Sequence, residues 1–299
     1  MNDIQAEWIA INQRIFKAHI ADVDGNLTKA YENAEKLSDA VILAIQSFLK
    51  QQIPFALSSA RPFKEGSLLF DIPKNVFNQL NDEALKFFFI FSEMGCTALS
   101  FYKDENTNIC VHETDLVDFF QIPNRDILKK LNKTALFDEI ANALFLTDIC
   151  YYKADKKYGF HLKLTDFAIK QTLQNPTYIL NITHKINDYL QKNYPFLVAY
   201  CSRKTLNILL KGADKELSVR YLAQKFHLKL SEIVATDDQG TLEGIGYHLI
   251  KHAGGFSTNI YDKDLYPPFP LPLISNNNGV DAWFFLNEHL HYQSPILGY

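Results

Sequence analysis

The sequence predicts an α/β fold in which a parallel sheet is interrupted by a second, smaller α+β unit. Short apolar runs at residues 18–22, 53–57 and 87–91 alternate with stretches of helical spacing, which is typical of a parallel sheet covered by helices on both faces. After residue 111 the pattern changes to helices mixed with half-alternating strands, and after residue 200 the first pattern resumes. We therefore expect a core formed by residues 1–111 and 201–299, with residues 112–200 inserted into it.

The composition is that of a globular protein. Hydrophobic residues make up 47% and charged residues 21% of the 299 positions, so a substantial core can be buried. The formal charge of −4 gives no basic field for a nucleic acid. The four cysteines lack Cys-x-x-Cys spacing, which argues against a zinc site or a disulfide framework. Because the sequence shows neither a membrane span nor a signal pattern, we expect a cytoplasmic protein without membrane partners. Its oligomeric state stays open.

The remaining elements follow in order along the chain. Residues 1–17 have the spacing of a short amphipathic helix. After the first strand, Ser38 is a candidate N-cap for a helix, whose apolar face consists of Leu37, Val41, Ile45, Phe48 and Leu49. Beyond the insertion, the pattern predicts a helix over 215–226, strands over 232–236 and 256–260, a proline-rich loop over 266–272 and a helix over 279–291.

Two carboxylates end the first strand. Residues two apart in an extended chain point the same way, so Asp22 and Asp24 can converge at the carboxyl edge of the sheet. Such a pair attracts a hard cation such as Mg²⁺. A solvated turn is the competing interpretation of an isolated Asp-x-Asp-Gly. A calcium loop is excluded, because Leu27 and Asn33 stand where that loop needs glycine and glutamate.

Polar residues of complementary type occur at four separate strand-to-helix junctions. They are the pair Asp22 and Asp24, Ser59 with Arg61, Lys215, and the pair Asp237 and Asp238. Each one alone is a common feature of loops or solvated helix ends. Their joint occurrence, in this order, predicts one ligand site at the edge of the sheet.

These motifs resemble those of the haloacid-dehalogenase-like (HAD) superfamily of phosphatases. The family's Asp-x-Asp-Gly-Thr-Leu is matched by residues 22–27, its Thr-Gly-Arg-Pro by 59–62, its helix-starting lysine by 212–217, and its Gly-Asp-x-x-x-Asp by 236–241. Residues 93–96 look like the Glu-Asn-Gly-Ala of the branch with a large inserted cap. That branch includes Cof-type sugar phosphatases, sucrose-phosphate phosphatase and phosphomannomutase. The resemblance implies a Rossmann-like core with an inserted α+β cap that closes as a lid.

The resemblance also implies a reaction. It is Mg²⁺-dependent hydrolysis of a phosphomonoester on a small phosphorylated metabolite, such as a sugar phosphate. Asp22 would be the nucleophile that forms an aspartyl-phosphate, and Asp24 the general acid and base. Ser59 and Lys215 would hold the transferring oxygens and add positive charge. Asp22, the backbone carbonyl of Asp24, and Asp237 would hold the metal.

Further residues around this site show where the chain departs from the family pattern. Gly25, Asn26, Arg61 and Asp238 are expected near the metal or the substrate, Asn26 in place of the usual threonine. Thr241 replaces the second acid of the last motif, and a lost acid weakens divalent-cation binding. Two alternatives stay open. One is a phosphosugar mutase of the phosphomannomutase kind, and the other is a catalytically silent protein that binds a phosphorylated ligand.

Overall fold

A computed structural model describes residues 13–28, 36–78, 80–175, 177–202, 204–238, 244–252, 254–258 and 279–298. The first part of the chain forms β1 (Ile15–Phe16), β2 (Ala18–Asp22), α1 (Asp39–Lys50), β3 (Phe55–Ser58), α2 (Leu68–Phe77), α3 (Asp82–Leu85), β4 (Phe88–Ser92), β5 (Thr97–Lys103), β6 (Ile109–Asp115) and α4 (Leu116–Phe119). The middle part forms α5 (Arg125–Lys130), α6 (Lys133–Leu144), β7 (Cys150–Lys156), β8 (Gly159–Leu164), α7 (Asp166–Gln174), α8 (Thr177–Asn193), β9 (Leu197–Cys201) and β10 (Thr205–Leu210). The last part forms α9 (Glu216–Lys225), β11 (Ile233–Asp237), α10 (Tyr247–Ile250), β12 (Gly255–Ser257), α11 (Gly279–His289) and β13 (His291–Tyr292). Short 3₁₀ turns lie at Glu93–Gly95, Leu230–Glu232 and Pro295–Gly298.

A seven-stranded sheet in the order β12-β11-β2-β3-β4-β5-β6 forms the core. The strands from β12 to β4 are parallel, and β5 and β6 continue the sheet in antiparallel pairs. All residues of β2, β3, β4 and β11 are buried, as expected for parallel strands covered on both faces. The predicted α/β fold with a parallel central sheet is therefore confirmed.

The helix after β2 begins as the sequence predicts. The Ser38 hydroxyl accepts a hydrogen bond from the backbone N–H of Val41, at 3.3 Å, which satisfies one of the unpaired donors of the first turn. Val41, Ile45 and Leu49 are fully buried on the face that packs into the core. The predicted helices over 215–226 and 279–291 correspond to α9 and α11.

A separate four-stranded antiparallel sheet, in the order β7-β8-β10-β9, forms the second sheet of the chain. Phe160, Leu162 and Leu164 alternate along β8 and are buried. Helices α6, α7 and α8 contact strands of this sheet or one another. The chain therefore has the α+β cap architecture that the sequence predicts.

The chain divides into two compact units. Unit 1 contains residues 1–119, 215–241 and 246–299, and unit 2 contains residues 120–214 and 242–245. These limits differ from the predicted insertion over 112–200. At the first limit, β6 pairs with β5 in the core sheet up to Asp115. At the second, β10 pairs with β8 and β9 and so extends unit 2 beyond residue 200.

Two predicted segments lie outside the described residues. They are the proline-rich loop over 266–272 and most of the helix over 1–17, of which only the end is described, with β1 at Ile15–Phe16. Within the described part of the chain, the helices are too short or too polar to cross a lipid bilayer.

Candidate active site

The carboxyl ends of neighbouring parallel strands define the candidate active site, which lies within unit 1. Asp22 is the last residue of β2, and Asp237 is the last residue of β11. The chain passes from β2 to β3 on one side and returns to β11 on the other. This edge is therefore the switch point at which open α/β sheets bind ligands.

Lys215 joins the two strand ends. Its Nζ donates to Asp22 Oδ1 at 2.7 Å and to Asp237 Oδ2 at 2.6 Å. The lysine directly precedes α9, and its side chain is only 2% exposed. A buried charge is tolerated only when it is paired, and removing one partner of such a pair typically costs about 3–5 kcal/mol. The structure thus brings together Asp22, Lys215 and Asp237, three of the residues predicted from the sequence as site residues.

Three buried carboxylates meet at this edge. They belong to Asp22, Asp237 and Asp238, and the ammonium group of Lys215 contacts the first two. Burial raises the pKa of Asp22 well above its usual range. Lys215 opposes this shift, and the carboxylates of Asp237 and Asp238 add to it. Burial alone would lower the pKa of Lys215, but the charges of Asp22 and Asp237 outweigh it and raise that pKa. A further cation beside Asp22 would oppose the effects of burial and of the neighbouring carboxylates.

The same three carboxylates fit a hard divalent cation. One oxygen from each of Asp22, Asp237 and Asp238 lies within 4.8 Å of the others. Carboxylate oxygens are the ligands that such cations prefer in proteins. A cation held here would offset the repulsion among the three carboxylates. Asp238, expected from the sequence only in the surroundings, thus belongs to the group that can hold a metal.

The Asp24 side chain has a different partner from that of Asp22. Arg61 Nε donates to Asp24 Oδ2 at 2.9 Å, and Arg61 Nη2 donates to Asp24 Oδ1 at 2.6 Å. This two-point contact orients the carboxylate and raises the pKa of Arg61. The Asp24 side chain is 43% exposed, so a ligand can reach it. Asp24 was predicted to bind the metal through its backbone carbonyl. Its carboxylate does not belong to the buried group of Asp22, Asp237 and Asp238.

Ser59 lies in the loop that follows β3. Its Oγ accepts a hydrogen bond from the backbone N–H of Arg61 at 3.1 Å, which shapes this loop. The turn after β4 is hydrogen-bonded to this loop. The N–H of Glu93 donates to Arg61 O, and the N–H of Met94 donates to Ser59 O, both at 3.1 Å. Glu93 and Met94 both have positive φ, at 51° and 67°, which is unusual for such side chains. The residues matched at 93–96 therefore form the support of the Ser59 loop.

Gly25 and Asn26 shape the turn after Asp22. Gly25 has a φ of +85°, and a Cβ atom there would lie 2.7 Å from Cγ of Asp238, so both the backbone and the space require glycine. Asn26 is fully buried and hydrogen-bonds to Asp22 O, Thr236 and Thr258. Both residues lie beside the buried carboxylates, as the sequence predicts. Thr241 lies outside the described residues.

Two buried threonines in these surroundings had no role in the sequence prediction. Thr236, the first residue of the matched segment 236–241, precedes Asp237 in β11, and Thr258 directly follows β12. Each is a hydroxyl residue at the carboxyl end of a short strand, but threonine is also common inside strands, so the sequence alone does not distinguish them.

Comparison with known proteins gives a partial family match and several similar folds. Residues 173–245 match the family described as sucrose-6F-phosphate phosphohydrolase. A solved structure of Plasmodium falciparum IMP-nucleotidase with IMP bound has a TM-score of 0.59 at 12% identity, and the match covers 82% of this chain and 65% of that chain. The chain thus spans less than two thirds of that nucleotidase. Aspergillus fumigatus trehalose-6-phosphate phosphatase has a TM-score of 0.49 at 10% identity, with 96% of this chain and 97% of that chain covered. No curated protein sequence matches the chain.

The motifs, the fold and the partial match agree with one another. The chain shares its fold with the IMP-nucleotidase structure, and over residues 173–245 its sequence is similar to the family described as sucrose-6F-phosphate phosphohydrolase. In its motifs it resembles the HAD-like phosphatases that carry an inserted α+β cap.

Proposed function

We propose that this protein is a Mg²⁺-dependent phosphatase that cleaves a small phosphorylated metabolite, most simply a sugar phosphate, through an aspartyl-phosphate. The observation that carries the proposal is the contact of Lys215 with both Asp22 and Asp237 beside Asp238. A carboxylate that attacks a phosphate ester is repelled by about 4 kcal/mol at 4 Å and an effective dielectric constant near 20. The site must therefore supply positive charge where the phosphoryl group binds.

Each residue has a defined part in the proposed reaction. An oxygen of Asp22 attacks phosphorus, and the bond from phosphorus to the ester oxygen breaks as Asp24 gives that oxygen a proton. Asp24 then removes a proton from water, which attacks phosphorus and releases phosphate and free Asp22. Lys215 stabilises the negative charge on the transferring oxygens, and the Ser59 hydroxyl donates to one of them.

Mg²⁺ would be held by oxygens of Asp22, Asp237 and Asp238, with the backbone carbonyl of Asp24 as a further predicted ligand. When bound, the ion supplies charge neutralisation at the attacking carboxylate and at the phosphate. The site fits this ion because it offers three buried carboxylates, each with an oxygen within 4.8 Å of the others. We also propose that unit 2 acts as the cap that selects the leaving group.

The test is phosphate release from sugar phosphates, nucleoside monophosphates and phospho-acids, with Mg²⁺ and with excess chelator. We expect Mg²⁺-dependent release, and loss of at least about a thousandfold in kcat for Asp22→Asn, since an amide is a poor nucleophile. Asp237→Ala is expected to lose both activity and Mg²⁺ dependence. Asp82→Asn, which changes an exposed acid paired with Lys103, is the matched control.

Three results would contradict the proposal. The first is a wild-type rate in Asp22→Asn, and the second is full activity of the wild type in chelator. The third is transfer of the phosphoryl group between sugar positions without release, which would identify a mutase. If only nucleoside monophosphates reacted, the proposed substrate class would change from sugar phosphates to nucleotides, and the proposed mechanism would stay the same.

A further inference from the structure

The side chain of Asn26 connects three parallel strands at their carboxyl ends. Its Nδ2 donates to the backbone carbonyl of Asp22 at the end of β2, at 3.0 Å. The same nitrogen donates to Thr236 Oγ1 in β11, also at 3.0 Å. Its Oδ1 accepts from Thr258 Oγ1 after β12, at 2.8 Å. The side chain is fully buried, so water does not compete for these bonds.

The partners of Asn26 lead directly to the second carboxylate. Thr236 is the residue before Asp237, and the backbone N–H of Thr258 donates to the Asp237 carbonyl at 2.9 Å. Asn26 therefore holds the chain at Asp22 and, through two separate contacts, the chain at Asp237. These are the two carboxylates that share the ammonium group of Lys215.

The geometry requires an amide at this position. Asparagine offers two N–H donors and one carbonyl acceptor, whereas a hydroxyl group has a single hydrogen to donate. Threonine, usual in the motif that residues 22–27 resemble, cannot donate to both Asp22 O and Thr236 Oγ1. The net loss of one such hydrogen bond costs about 0.5–1.5 kcal/mol, and the chain at Asp22 or at Thr236 would be held less firmly.

We propose that Asn26 is a positioning residue that fixes the spacing between the Asp22 and Asp237 carboxylates and so sets the affinity of the site for a divalent cation. This inference rests on the proposed function, since it takes these carboxylates as cation ligands. Residues that orient metal ligands without touching the metal typically contribute about 10–100-fold in affinity. Asn26 acts on the backbone at Asp22 and Asp237, and it needs no contact with the ion.

The experiment measures cation affinity in the absence of substrate. Isothermal titration with Mg²⁺ and with Mn²⁺ is carried out on wild type and Asn26→Thr. We expect about 10–100-fold weaker binding in the variant. In phosphate-release assays, the Mg²⁺ concentration for half-maximal rate should rise by the same factor, while kcat at saturating Mg²⁺ falls by less than about threefold. A residue with only a structural role would not change the Mg²⁺ requirement while leaving kcat at saturating Mg²⁺ nearly unchanged.

Two further substitutions separate positioning from loss of stability. Thr258→Val removes the single bond to Asn26 Oδ1 and should weaken cation binding by less than Asn26→Thr does, whereas Thr258→Ser should restore it. Gln46→Met is the matched control, because Gln46 is also a buried amide in unit 1 and donates to Val76 O at 2.9 Å. It should lower the melting temperature without changing cation affinity.

Unchanged cation affinity in folded Asn26→Thr, or in Thr258→Val if Asn26→Thr does not fold, would overturn the inference. Equal weakening by Gln46→Met would overturn it as well. Failure of the proposed function looks different: wild type would bind Mg²⁺ yet release no phosphate from any substrate. The titration of Asn26→Thr would then still decide the positioning role. A wild type that binds neither cation would overturn both.

Discussion

Acidification should destabilise unit 1 through one buried histidine. His19 lies in β2, fully buried. Its Nε2 accepts a hydrogen bond from Trp283 Nε1 at 2.9 Å, and its Nδ1 contacts the Tyr292 hydroxyl at 2.8 Å. Because an indole nitrogen can only donate, Nε2 carries no proton in this arrangement. Burial lowers the pKa of His19 to about 3.

The size of the effect follows from proton linkage. In the unfolded chain the pKa of a histidine is about 6.5. Between about pH 6.5 and pH 3, the unfolded chain therefore binds one proton that the folded protein does not bind. The free energy of unfolding decreases by up to about 1.4 kcal/mol for each unit by which the pH is lowered in this window. From pH 7 to pH 5 this one group removes about 2 kcal/mol of stability.

Urea unfolding at pH 7, 6 and 5 measures this effect. His19→Gln lacks the titrating group, so its free energy of unfolding should fall between pH 7 and pH 5 by about 2 kcal/mol less than that of the wild type. His19→Gln is expected to be less stable than wild type at pH 7, because it loses buried contacts. His291→Gln, which changes an exposed histidine, is the matched control. Equal pH dependence in wild type and His19→Gln would refute the reasoning.

Two further predictions concern the loops of the site. Gly25→Ala and Gly66→Ala both place a Cβ at positive φ, +85° and +76°, but only the first meets the Asp238 carboxylate, since nothing lies within 4 Å at Gly66. Gly66→Ala should lose about 1–2 kcal/mol in urea unfolding, and Gly25→Ala should lose more because of the contact with Asp238. Only Gly25→Ala should also weaken Mg²⁺ binding; equal cation affinity in both would contradict this. Arg61→Lys keeps the charge but not the two-point contact with Asp24. Because that pair is partly exposed and worth about 1 kcal/mol, kcat should fall about fivefold, and further in Arg61→Gln. Wild-type kcat in Arg61→Gln would show that the contact does not orient Asp24.

The strands that carry the candidate site could be predicted because their signals are local. Each parallel strand is a continuous apolar run, and each ends in a polar residue that has no reason to be buried unless it binds something. This is why Asp22, Asp237 and Lys215 were identified as one group from the sequence. The catalytic roles given to them, to Asp24 and to Ser59 stay predictions.

Other features depend on contacts between distant parts of the chain. Residues 205–210 are as apolar as the core strands, and only their antiparallel pairing with β8 and β9 places them in unit 2. The pairing of Arg61 with Asp24 and the bonds of Asn26 to Thr258 also join segments far apart in sequence. The close approach of the Asp238 carboxylate to that of Asp22 also depends on the pairing of separate strands.

The position of β2 between β3 and β11 has a consequence for the newly made chain. Asp22 and Lys215 are 193 residues apart, and β11 follows Lys215. At about 5–20 residues per second, roughly 10–40 s of ribosomal synthesis separate the two residues. During that time β2, an apolar strand, has one side without its final neighbour, and such open edges recruit other strands. Nascent chains of this protein should therefore depend on chaperones at this stage. The charges of Asp22, which ends β2, and of Asp24, two residues beyond it, limit the pairing of one nascent chain with another.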